Sequence, residues 1–368
     1  MTWPTKKLSE LLETCDAGTW GKPAPKGKGL FVLRSTNITN GGSIDFTDVA
    51  ELDIRDKVEK LKLLNGDILL EKSGGGPDQP VGRVVYFMTP SSRVYTFANF
   101  IQRLRANSKF IDSHFLFYRL FFLHKIGFTK KLQSQTTGIR NLKMSLYLKT
   151  EIPIPPLATQ KQIVARLDKI AEAQKLNSEL IQKTDELFQS LLHQELNPAG
   201  KNWETKKLGE VAKINYGKGL LKPEKTDDGK YFAYGSNGPV YRTNKILVDK
   251  PTIVVGRKGT AGALYFVSEP SWPIDTTFYL ETSKIVDLNF LFYSLQTKNL
   301  SKLAIVTAVP GINRNNLGRV KIAIPPLKIQ KQIVAKLSAV QEYKTQLLAQ
   351  KSKLKELFDS ALAKSFNG

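Results

Sequence analysis

The chain has 368 residues, with 55 Lys and Arg against 33 Asp and Glu, giving a formal net charge of +22. Cys15 is the single cysteine, which excludes an intrachain disulfide and a cysteine-based metal site. The most apolar stretch, Phe110 to Phe128, is broken by Asp112, His114, Arg119, His124 and Lys125, so it is too polar to span a bilayer. The first residues lack the basic-then-apolar layout of a secretory signal, so a cytoplasmic protein is expected.

In chain order, the first feature is Trp-Pro-Thr-Lys-Lys-Leu (Trp3 to Leu8), which returns as Trp203 to Leu208 with 5 of 6 positions matched. Lys22, Lys26 and Lys28 follow in a Gly/Pro-rich loop, where flexible ammonium groups suit phosphate better than base edges. Gly66-Asp67 precedes the apolar run Ile68 to Leu70, and then come Lys72, the glycines Gly74 to Gly76, Arg83, and a strand-like run from Val81 to Phe87. Such a strand–basic–glycine hairpin lets backbone approach a ligand closely and offers a guanidinium to guanine or phosphate. The alternative is a tight hairpin with solvated charges. A helix is expected over about 112–125. The loop Thr136 to Asn141, with Arg140, lies ahead of Pro155-Pro156 and pairs in sequence with Val309 to Arg314 of the second half, and both loops either contact nucleic acid or set the angle between block and helix.

Residues 152–167 read IPIPPLATQKQIVARL and residues 322–337 read IAIPPLKIQKQIVAKL, 12 matches in 16 positions at an offset of 170. Each Pro-Pro pair ends a strand-like run, because proline lacks an amide donor and restricts its predecessor. No Pro or Gly occurs from Leu157 to Asn197 or from Leu327 to Asn367. Ile163, Leu167, Ile170, Ile181, Phe188 and Leu191 in the first segment fall on a four-three seam, with polar Gln174, Asn177 and Thr184 among them. Ile333, Leu337, Val340, Leu347, Leu354 and Phe358 do the same in the second. The spacing predicts two helices, each a rod on the order of 50 Å. They are expected to pair with each other, since each apolar stripe needs a partner; the alternative is packing on their own blocks.

The second block repeats the layout of the first: Lys218 and Lys222 in a Gly/Pro-containing loop, then Thr252 to Val255, Gly256-Arg257-Lys258-Gly259-Thr260, and Ala263 to Phe266. Ser236-Asn237-Gly238 predicts a type I′ hairpin turn, in which glycine supplies the positive φ. A helix is expected over about 287–302. Residues 1–150 carry +10, 151–200 carry −2, 201–320 carry +8 and 321–368 carry +6. Both divergent blocks are therefore basic, as expected of surfaces that meet a polyanion. An internal duplication of this kind fixes the architecture first. The reading is α+β: divergent blocks at 1–155 and 199–325, and helical regions at 156–198 and 326–368.

Catalytic constellations are missing from the sequence. There is no Asn-Pro-Pro-Tyr or Asp-Pro-Pro-Tyr motif for amino-methylation and no Gly-x-x-x-x-Gly-Lys-Ser/Thr loop. His114, His124 and His193 have no metal-ligand spacing, so no metal is expected. Glu204-Thr205-Lys206 looks like the end of a nuclease motif, but it lies in the duplicated hexapeptide and its counterpart is Pro4.

Two blocks, each closed by a Pro-Pro-Leu-x-x-Gln-Lys-Gln-Ile-Val helix, resemble the DNA specificity subunits of type I restriction–modification systems. The Trp-x-Thr-Lys-Lys-Leu openings, Gly256 to Gly262 and Trp272 to Phe278 add to the resemblance, which covers nearly the whole chain. It implies two target-recognition domains and an antiparallel helix pair with pseudo-two-fold symmetry. It also implies no catalysis by this chain, double-stranded DNA as ligand, two adenine methyltransferase subunits as partners, and room for two restriction subunits. S-adenosylmethionine would be bound by the methyltransferase, ATP and Mg by the restriction subunit, and no cofactor by this chain. The family's base-contacting residues vary, so none transfers by position. Two divergent blocks are expected to read an asymmetric, bipartite site. A standalone DNA-binding regulator and a methylation-only complex stay open as alternatives.

Overall fold

The structure is a computed structural model that describes residues 3–25, 27–54, 58–76, 79–89, 91–136, 139–304 and 310–366. The chain forms two compact units, Met1–Leu176 with Lys351–Gly368, and Asn177–Gln350.

The two sequence echoes turn out to be the two strands of one β pair. Thr5–Lys7 lies antiparallel to Glu151–Pro153, with Lys6 opposite Ile152. Glu204–Lys207 lies antiparallel to Lys321–Ile324, with Lys206 opposite Ile322. Each hexapeptide therefore pairs with the run that leads into a Pro-Pro junction, and each block is closed at its base. Leu8 and Leu208, which end the hexapeptides, are fully buried. The nuclease-like Glu204-Thr205-Lys206 is thus an edge strand, with Lys206 paired to Glu204 at 2.8 Å.

Above the closure, both blocks build the same antiparallel sheet. In the first its order is Leu12–Ala17, Ile101–Ala106, Ile68–Glu71, Val84–Tyr86; in the second it is Ala212–Tyr216, Thr277–Thr282, Thr252–Gly256, Leu264–Val267. The strand expected over Val81 to Phe87 is shorter, because Gly82 takes φ +105°. A second sheet holds one parallel pair in each block, Leu30–Leu33 with Tyr95–Phe97 and Tyr231–Gly235 with Ser271–Pro273. The expected turn in the second block forms one residue early. Gly235 pairs with Gly238, so Ser236 and Asn237 are the central residues, and Gly238 (φ +98°) opens the returning strand. A bulge between Ala233 and Tyr234 takes up the shift.

One helix per block covers the sheet, and the reason for its start is legible. The Asp112 side chain accepts from the amides of His114 and Phe115 to begin Ser113–Lys125. Asp287 accepts from Phe290 to begin Leu288–Gln296. Satisfying these first-turn donors is worth about 0.5–2 kcal/mol. The second helix stops short of the expected 302: Thr297 ends it, and a 3₁₀ turn follows at Leu300–Leu303.

Leu157–Leu196 and Leu327–Phe366 are 40-residue helices, each about 60 Å long at ~1.5 Å per residue. They pair antiparallel. In the first unit Gln174 Nε2 donates to the Leu354 carbonyl at 3.0 Å. In the second, Asn177 Nδ2 donates to Gln350 Oε1 at 3.2 Å, and Lys344 and Lys336 pair with Asp185 and Glu195 at 2.5 and 2.7 Å. Partner numbers fall as the first helix rises. Leu167, Ile170, Phe188, Ile333, Leu337 and Leu347 are buried, and Ile163, Ile181, Leu191, Val340, Leu354 and Phe358 are half-buried. The stripes serve helix pairing and block packing together, since each core mixes helix and block. Leu167, Ile170, Ala361, Leu362 and Phe366 pack with Phe115 and Leu120 in the first unit. In the second, Phe188, Leu192, Ile333 and Leu337 pack with Phe290 and Leu291.

A glutamine of the duplicated motif locks helix to block. Gln160 Nε2 donates to the Pro155 carbonyl at 2.8 Å, and its Oε1 accepts from the Asp112 amide at 2.8 Å. Gln330 repeats this with Pro325 and Asp287, both at 2.8 Å, and adds the Ile285 carbonyl at 2.9 Å. Both glutamines are fully buried, so each clamp ties the long helix to the N-terminus of its block's own helix.

Candidate nucleic-acid interface

Backbone hydrogen bonds set a common frame in each block. Gly18 N donates to the Ile101 carbonyl and Gly217 N to that of Thr277, both at 3.1 Å. Thr19 N donates to Phe97 and Lys218 N to Pro273, both at 3.0 Å; Lys72 N donates to Phe100 and Arg257 N to Thr276, both at 2.9 Å. Leu142 N reaches the Lys72 carbonyl at 2.8 Å, and Ile312 N reaches that of Arg257 at 2.9 Å. Gly18 and Gly217 are required at their places, because a Cβ would sit 2.2 and 2.0 Å from a carbonyl oxygen. Lys72 and Arg257 therefore hold equivalent positions, as do Ala17 and Tyr216.

The frame also brings together loops that are far apart in sequence. In the first block Ser73–Gly75 pairs with Ile139–Leu142, with Arg140 opposite Gly75. In the second, Lys258 bridges to Gly311, and Gly259 N donates to the Pro310 carbonyl at 3.0 Å. The glycine hairpin and the loop before Pro-Pro thus form one surface in each block. The loop correspondence expected from sequence is corrected by three residues. Ile312 matches Leu142 at the offset of 170, so Arg314 matches Met144 and not Asn141.

In the second block the cations gather around one ring. The guanidinium groups of Arg257 and Arg314 each lie 5.4 Å from the centroid of Tyr216. Tyr216 packs in turn on Phe278 at 5.1 Å and is 48% exposed. The Arg257 side chain donates to the Asp275 carbonyl from Nη2 at 2.7 Å and from Nε at 3.2 Å. Lys218 and Lys258 are exposed, and the Lys218 carbonyl accepts from Trp272 Nε1 at 2.6 Å. Lys222 is exposed at the start of the short 3₁₀ helix Lys222–Glu224.

The first block places different chemistry on the same frame. Lys72 is half-buried, its ammonium donating to Gln102 Oε1 at 3.2 Å, and burial lowers its pKa. Burial also raises the thiol of neighbouring Cys15, which accepts from Gln102 Nε2 at 3.2 Å. Arg140 is half-buried beside the glycine hairpin, while Lys22 and Lys28 are exposed near the edge strand Lys22–Pro23. Lys26, Thr137, Gly138 and Val309 lie outside the described residues.

Arg83 requires a correction. Its guanidinium is spent inside the block, with Nη2 and Nε on the Glu71 carboxylate at 2.7 and 2.8 Å and Nη1 on the Ile38 carbonyl at 2.6 Å. With the side chain 10% exposed, this arginine braces two layers of the block and offers no edge to DNA. In the sequence it looks like a solvated hairpin charge, because its partner, Glu71, lies 12 positions away.

Tyr216, Trp20 and Phe100 escaped the sequence reading. Strand alternation puts Tyr216 on the face of buried Ile214, which reads as core, but the strand ends there and the ring emerges. Trp20 and Phe100 are 51% and 41% exposed and line a cavity of about 350 Å³ with Arg34 and Ala98. Among the described residues no cluster of His, Cys, Asp and Glu could hold a metal ion, and no helix is long and apolar enough to cross a membrane.

The family model described as "Type I restriction modification DNA specificity domain" matches residues 1–185 and again 200–356. The chain belongs to this family. A type I specificity subunit recognises DNA within a restriction–modification complex and is not its catalyst. The chain is 29% identical over 309 residues to the MjaVIII specificity subunit of Methanocaldococcus jannaschii, covering 72% of this chain and 71% of that one. It is 24% identical to the putative MjaX specificity subunit of the same organism, covering 99% and 92%. Among solved structures, the S subunit of a type I system from M. genitalium has the same fold, with TM-score 0.63 at 17% identity, covering 99% of this chain and 96% of that one.

Proposed function

We propose that this specificity subunit reads an asymmetric, bipartite DNA target, one short sequence per block, with an unread gap whose length follows from the paired helices. The observation that carries the reading is the common frame: matched hydrogen bonds present Tyr216, Arg257 and Arg314 in one block and Ala17, Lys72 and Met144 in the other. One geometry with two sets of side chains suits two readings of the same kind of ligand. Residues 1–155 and 199–325 are the recognition domains. Residues 156–198 and 326–368 are the docking regions for two adenine methyltransferase subunits, which two restriction subunits join. Identical partners need similar surfaces, and the helical motifs are what the halves share. Leu180, Leu187, Tyr343 and Leu348 stand 42–50% exposed on the helices of the second unit, which favours docking over a standalone regulator. S-adenosylmethionine belongs to the methyltransferase, and ATP and Mg to the restriction subunit.

The deciding experiment maps methylated adenines in cells that express this chain with its methyltransferase. An interrupted motif with two unlike halves is expected, and a continuous or palindromic motif would overturn the reading. A heptad inserted at matching points in both helices keeps the seam in phase and should lengthen the gap without changing either half.

A further inference from the structure

The cation pair on Tyr216 is built differently from a phosphate-binding patch. Arg257 is fixed by its own amide on the Thr276 carbonyl, by the Ile312 amide on its carbonyl, and by Nε and Nη2 on the Asp275 carbonyl. Its guanidinium also lies against two rings, 5.4 Å from the Tyr216 centroid and 5.9 Å from that of Phe278. The side chain is therefore ordered before any ligand arrives, so the entropy of ordering it is not charged to binding. The Asp275 carbonyl takes the Nε side of the fork and leaves the terminal edge, with Nη1 and the second Nη2 proton, without a hydrogen-bond partner among the described residues. Phosphate asks for little of this, since mobile lysines such as Lys218 and Lys258 can serve it. The exposed carboxylate of Asp275, in no ion pair among the described residues, also disfavours a phosphate beside it.

We infer that Arg257, held on the Tyr216 ring, is a specificity-determining residue that reads guanine through its O6 and N7 acceptors in the half-site of the second block. The inference rests on the DNA-recognition reading above. A planar fork of two donors matches the two acceptors that guanine alone presents in the major groove. Arg314, 5.4 Å from the same ring and making no hydrogen bond or ion pair among the described residues, is left for the adjoining backbone. At the equivalent place the first block has no such fork: the residue is Lys72, turned to Gln102, and Ala17 replaces the ring. A lysine there cannot offer guanine the planar pair of donors that Arg257 does.

The test uses the full chain and a library of random duplex DNA, with the retained duplexes sequenced. The consensus duplex and its single-base variants are then titrated at several salt concentrations. The wild type should enrich a guanine at one position of the half-site that depends on the second block. Arg257→Lys should lose about 10- to 100-fold of preference at that position alone, and Tyr216→Leu part of it at the same position. Lys258→Gln should weaken all duplexes alike and lower the salt slope by about one phosphate. Unchanged preferences in the first half-site show that each variant is folded. If Arg257→Lys keeps every base preference and weakens all duplexes equally, Arg257 is a phosphate contact and the inference falls. If the wild type enriches no sequence, the recognition reading falls, and the inference with it.

Discussion

The two blocks agree in backbone and disagree in side chains, and the line between agreement and disagreement is sharp. The strand order of the main sheet, the base closure, the helix cap and the glutamine clamp are the same in both, although little sequence is shared between the closures. At the outer loops the same hydrogen bonds carry an aromatic–arginine cluster in one block and a lysine–glutamine–cysteine group in the other. Backbone hydrogen bonds are indifferent to side-chain identity, so a frame built from them tolerates replacement of what it displays. Recognition chemistry can then change without rebuilding the fold.

That contrast can be broken first at Glu71, which faces Arg83 in the first block and has Gly256 at its place in the second. Glu71→Ala leaves a buried guanidinium without its carboxylate and should cost about 3–5 kcal/mol, read as a lower denaturant midpoint. A loss under 1 kcal/mol would mean the pair does not brace the block. A smaller, matched effect is expected at the clamps. Gln160→Ala and Gln330→Ala each strand a buried amide and should cost about 1–3 kcal/mol. Unequal losses would show that the two joints are not the same device.

Much of this joint was legible in the sequence and some was not. The Pro-Pro junctions, the 40-residue helices and the four-three seam follow from local rules: no breaker, a constant period and an apolar stripe. The pairing of Trp-x-Thr-Lys-Lys-Leu with the run before Pro-Pro did not, because strand partners more than a hundred residues apart leave no local trace. Arg83 shows the same limit for charge, since its burial depends on a carboxylate brought close by the hairpin. Tyr216 shows it for exposure, because alternation says which face a residue takes and not where the sheet ends.

The comparison sharpens further in salt. Reversing charge at both Arg257 and Lys258 should weaken DNA binding and flatten its salt dependence by about one phosphate, that of Lys258. The same change at Lys72 should have less effect, because that ammonium is half-buried on Gln102. Equal slopes would remove the distinction drawn between the two surfaces. A last contrast is confined to acid pH. Burial, helped by Arg83 and Lys130, holds His124 down at about 4, and its Nδ1 meets Thr129 Oγ1 at 2.9 Å. The unfolded chain takes up this proton below its ordinary 6.5, but the folded block does so only near 4. Stability is thus full above about 6.5 and falls between 6.5 and 4. His124→Asn should flatten that decline in thermal melts, and an unchanged slope would assign it to other groups.

The base closure has a consequence for length. Because Thr5 lies opposite Pro153 and Glu204 opposite Ile324, each block leaves its helix junction and returns to it at one point, like a loop of rope tied off at a cleat. What hangs between the ties can be paid out or taken in without moving the knot. The first block already carries more: an additional edge strand at Lys22–Pro23 and a three-stranded sheet around Ser73–Gly75. Surface insertions in either block should therefore leave the start of the following helix where it is, and drift in block size over generations need not disturb the paired rods.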